Sequence, residues 1–208
     1  MQLTERDEQV LQALAMRVRL FSVRQLAGTM WNNASTARRR LARLGKVGLV
    51  SSVRVTARTL PGTMEPVVTW QPSQPPPRYG AVAWSLQNRW TIPPRTTTLY
   101  LATRRTGNLF GTRRTGAIPQ PLQVDHDLGV SAVYLRYWQH EPELAARWVG
   151  EDAGHKHSTG EKNPDAFILR EDRSTVARVI EFGGAYPAER VQAFHEHCER
   201  EGLAYELW

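Results

Sequence analysis

Between residues 4 and 70 the apolar positions switch from a helical period to strict alternation, and no other feature of the chain restricts its fold as much. Val10, Leu11, Leu14 and Val18 fall on one helical face, and Thr4 with Asp7 is spaced as a capping box ahead of them. Ser22 is placed to cap a second helix running through Leu26 and Ala27, with Gly28 near its end. Asn32 or Asn33 caps a third, whose apolar side is Ala37, Leu41 and Leu44 and which Gly45 and Gly48 stop. Residues 49–55 and 67–70 then alternate around a turn containing Pro61 and Gly62, so they are expected to pair as a hairpin.

Three helices followed by a hairpin is a winged helix-turn-helix pattern, here expected over residues 1–70. The third helix supports that reading. Ser35, Thr36, Arg38, Arg39, Arg40 and Arg43 lie mostly opposite its apolar stripe, with Asn33 at its start. A recognition helix needs this division, with one face packed and the other presenting donors to phosphates and base edges. Arg54 and Arg58 fall on the expected wing, where they would reach flanking phosphates.

The charge distribution points the same way. Residues 1–120 hold 18 Lys+Arg against 4 Asp+Glu, whereas residues 121–208 hold 9 against 16, together the formal net charge of +7. All six histidines lie in the acidic part. Most of the cations are arginine, which suits phosphate and base contacts better than mere solubility does. Double-stranded DNA is therefore the expected partner of the first half. No apolar run is long enough to span a bilayer, and MQLTERDEQV lacks the pattern of a signal peptide. A single cysteine, Cys198, forms no internal disulfide and no cysteine-rich zinc site, so a reducing, cytoplasmic location is expected.

Residues 71–121 read as a linker. QPSQPPPRYG (71–80) is too rich in proline for an interior helix or central strand and is expected to be an extended spacer. Within the basic segment that follows, TTLYLAT (97–103) is a strand candidate, and the rest fits an extended wing, a β-subdomain or a connecting loop equally well.

From Leu122 the pattern becomes regular again. VDHDLGVSAVYLRYWQH is helical, and Gly129 inside it, costing about 1 kcal/mol relative to alanine, predicts close packing against another backbone. RWVGED (147–152), DAFILRE (165–171) and TVARVIEF (175–182) have strand character, with a hairpin turn at Asp172, Arg173 and Ser174. Val191, Phe194 and Cys198 mark a closing helix after Pro187, and LAYELW is a last strand. His155 and His157 sit in a polar loop without carboxylate partners nearby, and His195 and His197 are two apart on the closing helix, so neither pair is spaced as a metal site.

The order helix, strand, strand, strand, helix, strand over residues 122–208 is accompanied by Pro164-Asp165 opening one strand and Glu181 ending the next. This resembles the restriction-endonuclease-like fold with its PD-(D/E)XK signature. With the leading winged helix and the DHDLGV segment, the chain resembles the replication-relaxation family and, more loosely, MOBC-type plasmid mobilisation proteins. The resemblance implies an α+β fold, with a winged helix preceding an α/β core. It also implies Mg²⁺ held by Asp165 and Glu181, lowering the pKa of a water and stabilising transition-state charge. The lysine that such a motif places two residues after its second carboxylate is Gly183 here. Its role passes to Lys162 or Lys156, or His126 or Asp127 completes the metal site, or the site is inactive and repurposed for binding and assembly. The implied function is DNA binding with a repurposed or inactive nuclease-like domain, the alternative being a metal-dependent endonuclease or nickase. The implied partners are duplex DNA, a second copy of the chain, or replication and mobilisation proteins, and no membrane.

Overall fold

The computed structural model describes residues 2–58, 65–112, 120–151 and 164–208, and it is a mixed α+β structure. The first three helices follow from local capping. Helix α1 (Glu5–Met16) starts at Thr4, whose hydroxyl accepts from the Asp7 N–H while the Asp7 carboxylate accepts from the Thr4 N–H at 2.7 Å. Ser22 and Gln25 cap α2 (Val23–Thr29) in the same reciprocal way, and Asn33 Oδ1 accepts from the Thr36 N–H at 2.8 Å to open α3 (Ala34–Lys46). Val10, Leu11, Leu14, Leu26, Ala37, Leu41 and Leu44 are buried together, and Gly48, at φ +69°, turns the chain out of α3.

These helices pack beside a three-stranded antiparallel sheet in the order β1 (Phe21–Ser22), β4 (Arg95–Ala102), β2 (Val50–Ala57). The expected hairpin does not form. Strand β2 pairs along its whole length with β4, from Val50 opposite Ala102 to Ala57 opposite Arg95. Strand β3 (Val68–Trp70) leaves for a second sheet, where it pairs antiparallel with β8 (Tyr205–Leu207). The reason is apolar. Trp70 is 2% exposed and stacks on Tyr205 at 5.5 Å, whereas Leu99 and Leu101 of β4 pack with Leu20 and Ala57. The tip of the expected hairpin, Pro61 and Gly62, lies outside the described residues.

The second sheet runs β3, β8, β7 (Val176–Glu181), β6 (Ala166–Leu169), β5 (Trp148–Gly150). Strands β5, β6 and β7 form an antiparallel meander, and β8 returns parallel to β7 after α8 (Ala188–Arg200). Before them come α6 (Pro121–His140) and the one-turn α7 (Pro142–Ala145). The spacer ends at Arg78, because Val82, Ala83 and Leu86 of α4 (Tyr79–Asn88) pack in one cluster with Val191 and Cys198 of α8. A short α5 (Arg104–Leu109) follows β4.

The divisions expected at residues 70 and 121 therefore do not separate the sheets. Residues 68–88 belong with the C-terminal strands and residues 95–102 with the N-terminal helices. Phe21, Tyr134, Tyr137, Trp148 and Trp208 join both sheets in one core through α6. Gly129 does mark a close approach, but to a ring rather than a backbone: a Cβ there would stand 2.1 Å from Cζ of Phe182.

Candidate nucleic-acid interface and the acidic pair

Helix α3 buries Ala37, Leu41 and Leu44 and leaves Ser35, Arg38, Arg39 and Arg43 exposed. Asn33 is exposed and Thr36 half-buried, both occupied in the helix cap. Arg40, expected on the DNA-facing side of the helix, also has a partner within the chain. Its Nε donates to Asp7 Oδ1 at 2.6 Å, its Nη2 pairs with Asp7 Oδ2, and it also reaches the Gln2 carbonyl at 3.2 Å. Asp7 is fully buried. Burial raises its pKa, but bonds from Arg40 and Thr4 outweigh this and leave it below the ordinary aspartate value. Arg40 thus neutralises a buried carboxylate and ties α3 to α1.

Two basic clefts flank α3. One, of about 620 Å³, gathers Arg38 from α3, Arg54 from β2, Arg24 from α2 and Arg95 from β4, with Thr96, Thr97 and Thr98 along one wall. Among the described residues no acidic side chain lines it. The other, of about 510 Å³, lies against α1, with Arg6, Arg39, Arg40 and Arg43 around Trp31, and Glu5 as its one carboxylate among the described residues. Arg58, expected on the wing, instead turns to α6: its N–H donates to Asp125 Oδ1 at 2.7 Å and its Nη1 to Asp125 Oδ2 at 3.0 Å. Reading from sequence missed Arg24 and Arg95. Arg95 enters only through the β2–β4 register, which no local pattern announces.

The two candidate metal ligands are both buried, Asp165 at 4% and Glu181 at 5% exposed. The register Ala166 opposite Ile180 sets them at neighbouring strand ends. Each has its own partners, and Tyr186 feels the charge of both. Asp165 Oδ2 accepts from the Phe182 N–H at 2.7 Å and lies 3.1 Å from His126 Nε2 on α6. Glu181 Oε1 accepts from the Tyr186 hydroxyl at 2.6 Å, and Tyr186 packs in the α8 cluster. Burial would lower the His126 pKa, yet Asp127 and Asp165 beside it push it up to about 9, so the ring is cationic at neutral pH.

Lys162 and Lys156 lie outside the described residues. At Gly183 a Cβ would stand 3.0 Å from both Cδ atoms of Leu86 and 3.1 Å from Leu207 Cδ1, so the motif's lysine would need those side chains to give by a few tenths of an ångström. The Gly183 carbonyl accepts instead from the guanidinium of Arg89, which lies 4.4 Å over the Phe182 ring. Burial lowers the Arg89 pKa to about 10, still cationic at neutral pH. Among the described residues no three His, Cys, Asp or Glu side chains converge as metal ligands.

No family model matches the chain, and no curated protein or solved structure matches it.

Proposed function

We propose that the chain binds double-stranded DNA, with α3 as a recognition helix and β2–β4 as the wing of a winged helix. The observation that carries this is the cleft where Arg24, Arg38, Arg54 and Arg95 meet from four elements with no acidic residue among its described walls. A cleft lined by one sign of charge concentrates a polyanion, and arginine adds the planar fork that suits phosphate and guanine. Threonine hydroxyls on β4 supply further phosphate contacts. The C-terminal sheet, in the resemblance to replication-relaxation proteins, serves binding and assembly: dimerisation or docking of replication and mobilisation partners. Among the described residues no helix is long and apolar enough to cross a membrane.

Fluorescence anisotropy on duplex DNA tests this reading. Arg38→Ala/Arg54→Ala should weaken binding for any sequence and shorten the salt slope by about two, one for each phosphate contact removed. Unchanged affinity and slope in that variant would remove α3 and the wing from the interface.

A second reading, metal-dependent nicking by Asp165 and Glu181, has the register in its favour, because it sets the two acids at adjacent strand ends. Supercoiled plasmid incubated with Mg²⁺ or Mn²⁺, beside an Asp165→Ala control, decides it. Nicking that the control abolishes would favour this reading over a repurposed domain.

A further inference from the structure

Helix α3 carries arginines on both of its flanks. At the α-helical repeat Arg38 and Arg43 lie about 140° apart around the axis, and Ser35, Arg39 and Lys46 form an exposed ridge between them. Arg38 belongs to the cleft shared with α2, β2 and β4. Arg39 and Arg43 line the second cleft, whose far wall is α1 with Arg6 on its first turn. Arg6 and Arg43 are exposed, whereas Arg40 is held on Asp7 and fixes α3 against α1. Four arginines in this cleft thus face a single carboxylate among its described walls. That carboxylate, on Glu5, accepts from the Gln9 amide at 3.3 Å, one turn along α1.

The dimensions of a duplex give this two-sided arrangement a meaning. An α-helix with its side chains is about 10–12 Å across, and the major groove of B-DNA is about 12 Å wide. A helix seated there has one phosphate backbone along each side and base edges beneath its ridge. A helix that met one backbone only would need cations on one flank, and its other flank would be free to be neutral or acidic. The second flank of α3 is basic too, and its cleft, of about 510 Å³, holds a stretch of backbone rather than a single ion. A concave surface with so strong an excess of one charge concentrates a polyanion.

We propose that the cleft between α1 and α3 takes phosphates of the strand opposite to the one held by Arg24, Arg38, Arg54 and Arg95, so that one duplex is gripped through both strands across α3. This site rests on α3 being the recognition helix, and it adds a hold on the second strand. Arg6 and Arg43 are its phosphate contacts. Arg39, on the ridge and also in the cleft wall, stands between backbone and base edges, and Ser35 faces the base edges.

Neutralising one strand at a time tests it. Anisotropy of the full chain is read on two short duplexes of one sequence, the first fully charged and the second with neutral methylphosphonate linkages along one strand. The parent should bind the half-neutral duplex at least about tenfold more weakly, because one of its two clefts then meets no charge. Arg6→Ala/Arg43→Ala should bind the charged duplex with a salt slope shallower by about two. On the half-neutral duplex this variant should lose at most about threefold, since its remaining cleft can turn to the charged strand. Equal binding of both duplexes by the parent overturns the proposal, and that measurement decides alone should the variant not fold. A folded variant that keeps the parent's slope, or the parent's full loss on the half-neutral duplex, overturns it as well. So does a stoichiometry of two duplexes per chain, which would make the clefts separate sites. If Arg38→Ala/Arg54→Ala weakens binding while Arg6→Ala/Arg43→Ala does not, the duplex lies on one flank only and the DNA-binding reading stands without this site. A parent that binds no duplex ends both.

Discussion

Arg39 and Arg40 are neighbours in sequence, yet their replacement should have opposite consequences. Asp7 is fully buried, and Arg40, whose side chain is 18% exposed, supplies its only guanidinium among the described contacts. Removing one partner of a buried ion pair costs about 3–5 kcal/mol, since the surviving charge is left without compensation. Asp7 would keep its bonds from the Thr4 N–H and hydroxyl, which places Arg40→Ala at the low end, about 3 kcal/mol. For a chain of this size that lowers Tm by roughly 6–12 °C. Arg39→Ala, at an exposed position, should stay within about 0.5 kcal/mol of the parent while weakening DNA binding. Acid titration carries the sign. Asp7 has a folded pKa below its unfolded value, so its contribution is complete above the unfolded pKa of 3.8 and disappears as pH falls through the lower folded value. Thermal melts of both variants at neutral pH, with anisotropy on one duplex, check all of this. An Arg40→Ala protein that melts like the parent and loses DNA affinity would refute the assignment of Arg40 to Asp7.

Gly129→Ala should destabilise by about 1–3 kcal/mol in urea unfolding, because the new methyl group meets the Phe182 ring, and Gly129→Ala/Phe182→Leu should recover part of that loss. Restoring the motif with Gly183→Lys should lower stability and produce no plasmid nicking with Mg²⁺, since Leu86 and Leu207 crowd the position; nicking gained by this variant would contradict the packing argument. His126 has a folded pKa of about 9 against an ordinary 6.5, so its contribution, up to about 3 kcal/mol, is complete below pH 6.5 and is lost as pH rises through 9. Urea unfolding of the parent and of His126→Gln between pH 6 and pH 10 reads that difference, which should vanish in the variant.

Local chemistry made much of the chain legible. Thr4 with Asp7 and Ser22 with Gln25 act across three residues, so the starts of α1 and α2 follow from spacing alone. The stripe of Ala37, Leu41 and Leu44 and the order of elements from α6 to β8 were equally readable, because periodicity records which face is buried. Partner choice was not. Alternation marks residues 49–55 and 67–70 as strands, with 97–103 a further candidate, but which strand pairs with which depends on where Trp70 and Leu99 find apolar neighbours. The same limit applies to the sites. Nothing local distinguishes Arg40 from Arg39, since the difference is an aspartate on another helix. Arg24 and Arg95 join the basic cleft only through tertiary packing.

The cleft beside α3 is where DNA should lie, and Arg24 and Arg95 test this best because they reach it from α2 and β4, which meet only through tertiary packing. Duplex affinity measured across a series of salt concentrations for the parent and for Arg24→Ala/Arg95→Ala is the direct measurement. The account predicts weaker binding and a slope of log affinity against log salt that is shallower by about two. A double variant that folds like the parent and binds with the same slope and affinity would contradict it.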